Sequence, residues 1–138
     1  MATKEEPKNK PKISTKKKGV IKSISDAKLF IQSTFNNTLV TVTDMAGSTL
    51  SWSSSGRCGF KGSRKSTPFA ATTAIERALE EVKKHGVKKL FVYLKGPGTG
   101  RDAALRYLRS KRDFEVEQIS DITPIPHNGP RPPKQRRA

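Results

Sequence analysis

The almost unbroken apolar run from Lys89 to Leu94 restricts the fold of this chain more than any other segment. Its length and its Leu, Phe, Val and Tyr content predict a strand covered on both faces. Segments with helical periodicity lie on either side, at Pro68 to His85 and Asp102 to Ser110, and Phe114 to Ile122 predicts a last strand. This alternation is typical of an α/β fold with right-handed crossovers.

Three further strands are predicted ahead of the first helix. Apolar and polar residues alternate from Lys28 to Phe35, and β-branched residues dominate Leu39 to Thr43. Asn36-Asn37 suits the hairpin between them, because Asn tolerates the left-handed conformation. Thr49 to Ser53 follows the turn at Asp44 to Gly47. We therefore predict a three-layer α/β fold with a mixed five-stranded sheet, its parallel part central, and two helices.

Basic residues outnumber acidic ones, and much of the excess lies at the two ends. The 28 Lys and Arg against 12 Asp and Glu give a formal net charge of +16. Residues 1–22 hold eight Lys against two Glu, and residues 127–138 hold four Lys or Arg and no acid. Such segments are predicted to be disordered until a polyanion binds, although solubility tags or functionless flexible ends share this composition. We divide the chain into a basic tail at 1–22, an α/β domain at 23–123 and a proline-rich basic arm at 124–138.

The stretch from Gly59 to Ala71 combines cations, glycines and a helix start. Gly59 and Gly62 allow close backbone approach or positive φ, and three cations accompany them: Lys61, Arg64 and Lys65. Thr67 is a candidate N-cap and Pro68 suits the first helical position. The helix start adds a positive dipole end, so the stretch is a candidate phosphate site. Phe60 either stacks on a base or pins the loop to the domain.

A second glycine-rich turn runs from Lys95 to Arg101. Its G-x-G-x-G spacing fits neither the dinucleotide fingerprint nor the P-loop, which disfavours a mononucleotide site. A backbone phosphate is a better ligand, with Gly98 and Arg101 or Arg106 as donors. Both basic loops follow a strand and precede a helix, so we expect them at the same sheet edge, forming one continuous basic surface.

The C-terminal arm combines proline with cations. Five of the nine prolines lie between residues 124 and 133, which favours an extended conformation. A stiff arm loses little entropy on binding, and its Arg and Lys can reach phosphates. His127 and Arg131 can also stack or hydrogen-bond in a groove.

Other functions find little support in the sequence. No apolar run approaches the roughly 18 residues of a membrane span, and the single cysteine, Cys58, excludes an internal disulfide and a Cys-rich zinc site. We expect a cytosolic protein without a catalytic or metal site. Two alternatives remain: a DNA-binding architectural protein, which would share the charge, and a metal-dependent nuclease, which would need converging carboxylates.

Four blocks carry a resemblance to a known family. They are Gly59 to Ala71, Phe35 to Thr38 running on to Thr43-Asp44, Lys95 to Arg101, and Thr123 to Lys134. In this order the chain, from about Asp26 to its end, resembles the bacterial-type small-subunit ribosomal protein eleven family. Two positions depart from the family's pattern: Pro130 stands where members often have Cys, and Arg57-Cys58 replaces a smaller, less charged pair.

The resemblance implies a ribonuclease-H-like fold and a structural, non-enzymatic role in translation. It implies binding to the large RNA of the small ribosomal subunit, on the platform near the messenger RNA exit and the Shine-Dalgarno region, in cytoplasmic ribosomes. Ribosomal proteins seven and eighteen are the implied neighbours, with messenger RNA nearby and no cofactor, metal, membrane or small-molecule substrate. The implied RNA contacts are Arg57, Lys61, Arg64, Lys65, Gly98, Arg101, His127, Asn128, Arg131, Lys134, Arg136 and Arg137.

Overall fold

The computed structural model describes residues 23–138, so the predicted tail at 1–22 lies outside the described residues. The described chain forms one five-stranded sheet and two α-helices, each within two residues of its predicted ends. The strands are β1 (Asp26–Ser33), β2 (Thr38–Asp44), β3 (Thr49–Ser54), β4 (Lys89–Lys95) and β5 (Glu115–Asp121). The helices are α1 (Pro68–Lys83) and α2 (Gly100–Ser110), and a short 3-10 helix at Gly62–Ser66 precedes α1.

The sheet has the strand order β3-β2-β1-β4-β5. Strand β1 pairs with β2 in antiparallel fashion, as does β2 with β3, whereas β1 with β4 and β4 with β5 are parallel. The mixed sheet is confirmed, but the parallel part forms one half of the sheet and reaches the edge at β5 instead of being central. Four strands therefore run in one direction. The carboxyl ends of β1, β3, β4 and β5 lie side by side at one end of the sheet, called the carboxyl edge below.

Both helices lie on the same face of the sheet, so the domain has two layers and not the predicted three. Along β1, Leu29 and Ile31 are buried under the helices while Phe30 faces the other way, where its ring stacks on Tyr93 with centroids 5.1 Å apart. The connections β3-α1-β4 and β4-α2-β5 step in the same direction across the sheet. Right-handed crossovers in one direction place their helices on one face. Strand β4 is accordingly buried on alternate residues only.

One hydrophobic core fills the space between the sheet and the helices. Leu29, Val40 and Val92 from the sheet and Ile75 and Val82 from α1 are fully buried there. Helix α1 presents this face because its apolar residues recur at helical spacing. Helix α1 begins at Pro68, which suits the first helical position, and runs away from the carboxyl edge of the sheet.

Candidate nucleic-acid interface

Four segments meet at the carboxyl edge of the sheet: the β1–β2 hairpin, the loop 55–66, the turn 96–99, and the chain after β5. Thr99 donates its hydroxyl to the carbonyl of Ser66 at 3.1 Å, which joins the turn to the loop. The NH of Gly96 donates to Thr123 Oγ1 at 3.1 Å and so joins the turn to the C-terminal arm. The prediction that both basic loops share one edge is confirmed.

The loop presents its cations on a short, ordered turn. Gly59 and Gly62 have φ of +97° and +60°, as predicted. Lys61 and Arg64 are exposed and Lys65 is half-buried. Within residues 23–138, none of these three cations forms an ion pair with a carboxylate. Their charge is therefore available to an external anion.

The start of α1 lies directly behind this loop. Thr67 is the N-cap, as predicted: its Oγ1 accepts from the NH of Ala70 at 3.3 Å and donates to the carbonyl of Arg64 at 2.7 Å. Phe60 meets Phe69 edge-on, with ring centroids 5.8 Å apart at 84°. Of the two predicted roles for Phe60, the structure therefore supports pinning the loop to the helix.

Arg57 has a different environment from the other loop cations. Its guanidinium lies over the Trp52 ring, 4.3 Å from the centroid, and bonds the Trp52 carbonyl. It also approaches Glu81 Oε1 at 3.8 Å. The Glu81 carboxylate accepts a second bond from Ser51 at 2.7 Å. Arg57 thus braces the loop against β3 and α1, and Glu81 offsets part of its charge.

The glycines of the turn allow close packing of backbone. Gly98 is buried, and its NH donates to the carbonyl of Ser33 at 3.0 Å. A Cβ added to Gly98 would collide with Ser33 Oγ and the carbonyl of Thr34. Gly98 therefore holds the turn against the end of β1, and its NH is not directed at a ligand.

Arg101 is also engaged within the domain. Its guanidinium donates to the Gly96 carbonyl at 3.0 Å and to Asp121 Oδ2 at 2.6 Å. Asp121 accepts two further bonds, from the hydroxyl and the NH of Thr123 at 2.6 and 2.9 Å. These Thr123 bonds first, and then Arg101, lower the pKa of Asp121 from 3.8 to about 2. Arg101 and Asp121 together fix the point at which the arm leaves the sheet.

Beyond Thr123 the arm is exposed and has no regular secondary structure. Asn128 has a φ of +57°, which agrees with a turn at Asn128-Gly129. Among the described residues, no side-chain hydrogen bond or ion pair ties residues 127–138 to the domain. The predicted contacts on the arm are all exposed: His127, Asn128, Arg131, Lys134, Arg136 and Arg137.

A family model described as ribosomal protein S11 matches residues 27–137. The chain belongs to the ribosomal protein S11 family. This family comprises structural proteins of the small ribosomal subunit that bind ribosomal RNA and act in translation, and it is not a family of enzymes. Ribosomal RNA and other ribosomal proteins are therefore its partners, in the ribosome.

The two alternative functions lose support from this assignment. The S11 family is not a family of enzymes, which disfavours the nuclease alternative. Residues 23–138 contain no group of three or more His, Cys, Asp or Glu placed to hold a metal ion. Because members of the S11 family bind ribosomal RNA, RNA is favoured over duplex DNA as the ligand of this chain. No helix within the described range is long and apolar enough to cross a membrane.

Sequence reasoning missed the residues that anchor the arm of this S11 family member. Asp121 and Thr123 were not candidate site residues, yet their bonds hold the arm to the turn at Gly96. The signal that was available is the Asp-x-Thr spacing, because Asp and Thr side chains often bond to backbone groups two residues away.

Proposed function

We propose that the carboxyl edge of the sheet and the C-terminal arm form the ribosomal RNA-binding surface. One observation carries the proposal: the four segments that meet at this edge, 34–37, 55–66, 96–99 and 122–138, contain no Asp or Glu, and Asp121 at the end of β5 is paired with Arg101. The opposite end of the sheet also carries cations, Lys84 and Lys88 among them, but there Asp26, Asp44 and Asp113 lie at or beside strand ends. The carboxyl edge and the arm therefore form a basic surface suited to a polyanion.

The residues of this surface divide into contacts and supports. Arg57, Gly98 and Arg101 position the loop and the turn, because each is engaged within the domain. RNA phosphates bind the remaining candidates, with affinity dominated by release of counterions and specificity by RNA shape. These contacts are Lys61, Arg64, Lys65, His127, Asn128, Arg131, Lys134, Arg136 and Arg137.

The same proposal places the protein on the platform of the small subunit, near the messenger RNA exit and the Shine-Dalgarno region of cytoplasmic ribosomes. Ribosomal proteins seven and eighteen are its neighbours there, and messenger RNA passes near the arm. The exposed arm supports this placement, because a stiff basic segment held at its base by Thr123 can extend from the domain into adjacent RNA.

A charge-matched pair of variants tests the surface. Arg64→Ala with Lys65→Ala removes two cations from the loop, whereas Lys84→Ala with Lys88→Ala removes two exposed cations at the opposite end of the domain. We expect the first pair to weaken binding to small-subunit ribosomal RNA and to reduce the slope of log K against log salt by about 1 per lost contact.

The second pair should leave both affinity and slope close to those of the unaltered chain. Filter binding or fluorescence anisotropy across a salt series measures both quantities. Equal effects of the two pairs would show that total charge alone, and not this surface, controls binding.

A further inference from the structure

A groove of about 590 Å³ lies between the first turn of α1 and the outer side of α2, on the helical face of the domain. Its lining residues lie outside the loop 55–66, although the groove begins beside that loop. The residues that line it include Phe69, Thr99, Asp102, Arg106 and Tyr107.

Phe69 forms an exposed wall of this groove. Its side chain is 71% exposed, and its edge-on contact with Phe60 fixes the ring beside the loop. Single exposed apolar side chains are common. An aromatic ring held by a second ring, next to three cations that form no ion pair within residues 23–138, has in addition the arrangement of a base-stacking platform.

The polar groups of the groove differ from those of the loop. Asp102 and Arg106, one turn apart on α2, give the groove one carboxylate and one guanidinium, whereas the loop has cations only. Burial, with a smaller effect of Glu76, raises the pKa of Tyr107 to about 12, so its hydroxyl is neutral. A phosphate would be repelled by Asp102, but a flat, neutral ring can donate to the carboxylate and accept from the guanidinium.

The groove is continuous with the proposed RNA surface. Phe60 of the loop touches Phe69, and Thr99 at the groove edge donates to Ser66 of the loop at 3.1 Å. An RNA strand whose phosphates lie on Lys61 and Arg64 therefore passes the mouth of the groove. We propose that the groove accepts one unpaired nucleobase of ribosomal RNA, stacked on Phe69, an inference that rests on the proposed function of the loop.

Base stacking and phosphate contact differ in their dependence on salt, which gives a sharp test with the full chain. Phe69→Ala is expected to reduce affinity for small-subunit ribosomal RNA on the order of tenfold at every salt concentration, because stacking releases no counterions. Phe69→Trp keeps an aromatic face and should bind nearly as well as the unaltered chain. Met45→Ala, an exposed apolar change at the opposite end of the sheet, is the control and should have no effect.

An unchanged affinity for Phe69→Ala would overturn the proposal, and so would a flattened salt slope, which would indicate a lost phosphate contact. If the double substitution Arg64→Ala with Lys65→Ala weakens binding while Phe69→Ala does not, the proposed RNA surface stands and the proposed nucleobase site is wrong. If neither weakens binding, both proposals are wrong.

Cross-linking in assembled small subunits provides a second, direct readout. Irradiation at short wavelength followed by mass spectrometry should yield a nucleotide adduct on Phe69 or Tyr107. Adducts confined to the loop and the arm would overturn the proposal. Chemical cross-links from the groove to a neighbouring protein, without a nucleotide adduct, would assign the groove to a protein partner and overturn it equally.

Discussion

At the scale of single residues, Gly98 shows how a residue can matter to a binding surface without touching the ligand. Its backbone lies so close to the end of β1 that no side chain fits between them. The NH that a phosphate would need is already bound to Ser33. The contribution of Gly98 is therefore to the position of the turn, and through it to the positions of Thr99 and Arg101.

Gly98→Ala should destabilise the fold by about 1 to 3 kcal/mol, the usual cost of overpacking. The added Cβ meets Ser33 Oγ and backbone of Thr34, and the backbone cannot move aside freely. Gly56→Ala is the matched control, because its Cβ would meet nothing closer than 3.9 Å. Urea denaturation monitored by circular dichroism measures both. A Gly98→Ala midpoint equal to that of Gly56→Ala would contradict the close packing described for the turn.

At the scale of elements, Thr67 couples the cationic loop to α1. Its hydroxyl accepts from the NH of Ala70 in the first turn of α1 and donates to the carbonyl of Arg64 in the 3-10 helix. The loop geometry and the helix start therefore depend on the same side chain.

Thr67→Ala should cost about 1 kcal/mol of folding stability, as for other lost N-caps. Thr67→Ser keeps the hydroxyl and should restore most of that loss. Thr73→Ala, which removes a hydroxyl bonded to Phe69 within the helix, should be nearly neutral because alanine favours helices. Differential scanning calorimetry ranks the three variants. Equal losses for Thr67→Ala and Thr67→Ser would exclude the capping bond as the cause.

The elements themselves were predictable because periodicity in this chain is strong, with alternation in β1 and helical spacing in α1. Their layering was not predictable in the same way. Phe91 and Tyr93 make β4 look buried on both faces, yet they lie on the open face, where Tyr93 stacks on Phe30. Only the strand order shows that both crossovers run in one direction, and strand order depends on pairing between segments distant in the sequence.

At the scale of the whole molecule, the fold brings together at the carboxyl edge of the sheet four segments that contain no Asp or Glu. Local sequence identified the basic loop, the glycine turn and the arm, because residue type alone marks them. It did not distinguish contacts from supports, since Arg57 and Arg101 are engaged by Glu81 and Asp121, carboxylates brought close only by folding. The other candidate cations lie on the carboxyl edge and the arm, the surface proposed to bind ribosomal RNA.

The central claim is that the carboxyl edge and the arm bind ribosomal RNA. Lysine acetylation of the free chain and of the same chain in assembled small subunits tests it most directly. Lys61 in the loop, Lys134 in the arm, and Lys84 and Lys88 at the opposite end of the sheet are all exposed. Mass spectrometry should show Lys61 and Lys134 protected in the subunit, while Lys84 and Lys88 remain reactive in both states. Acetylation of Lys61 and Lys134 at the same rate in the subunit as in the free chain would contradict the account.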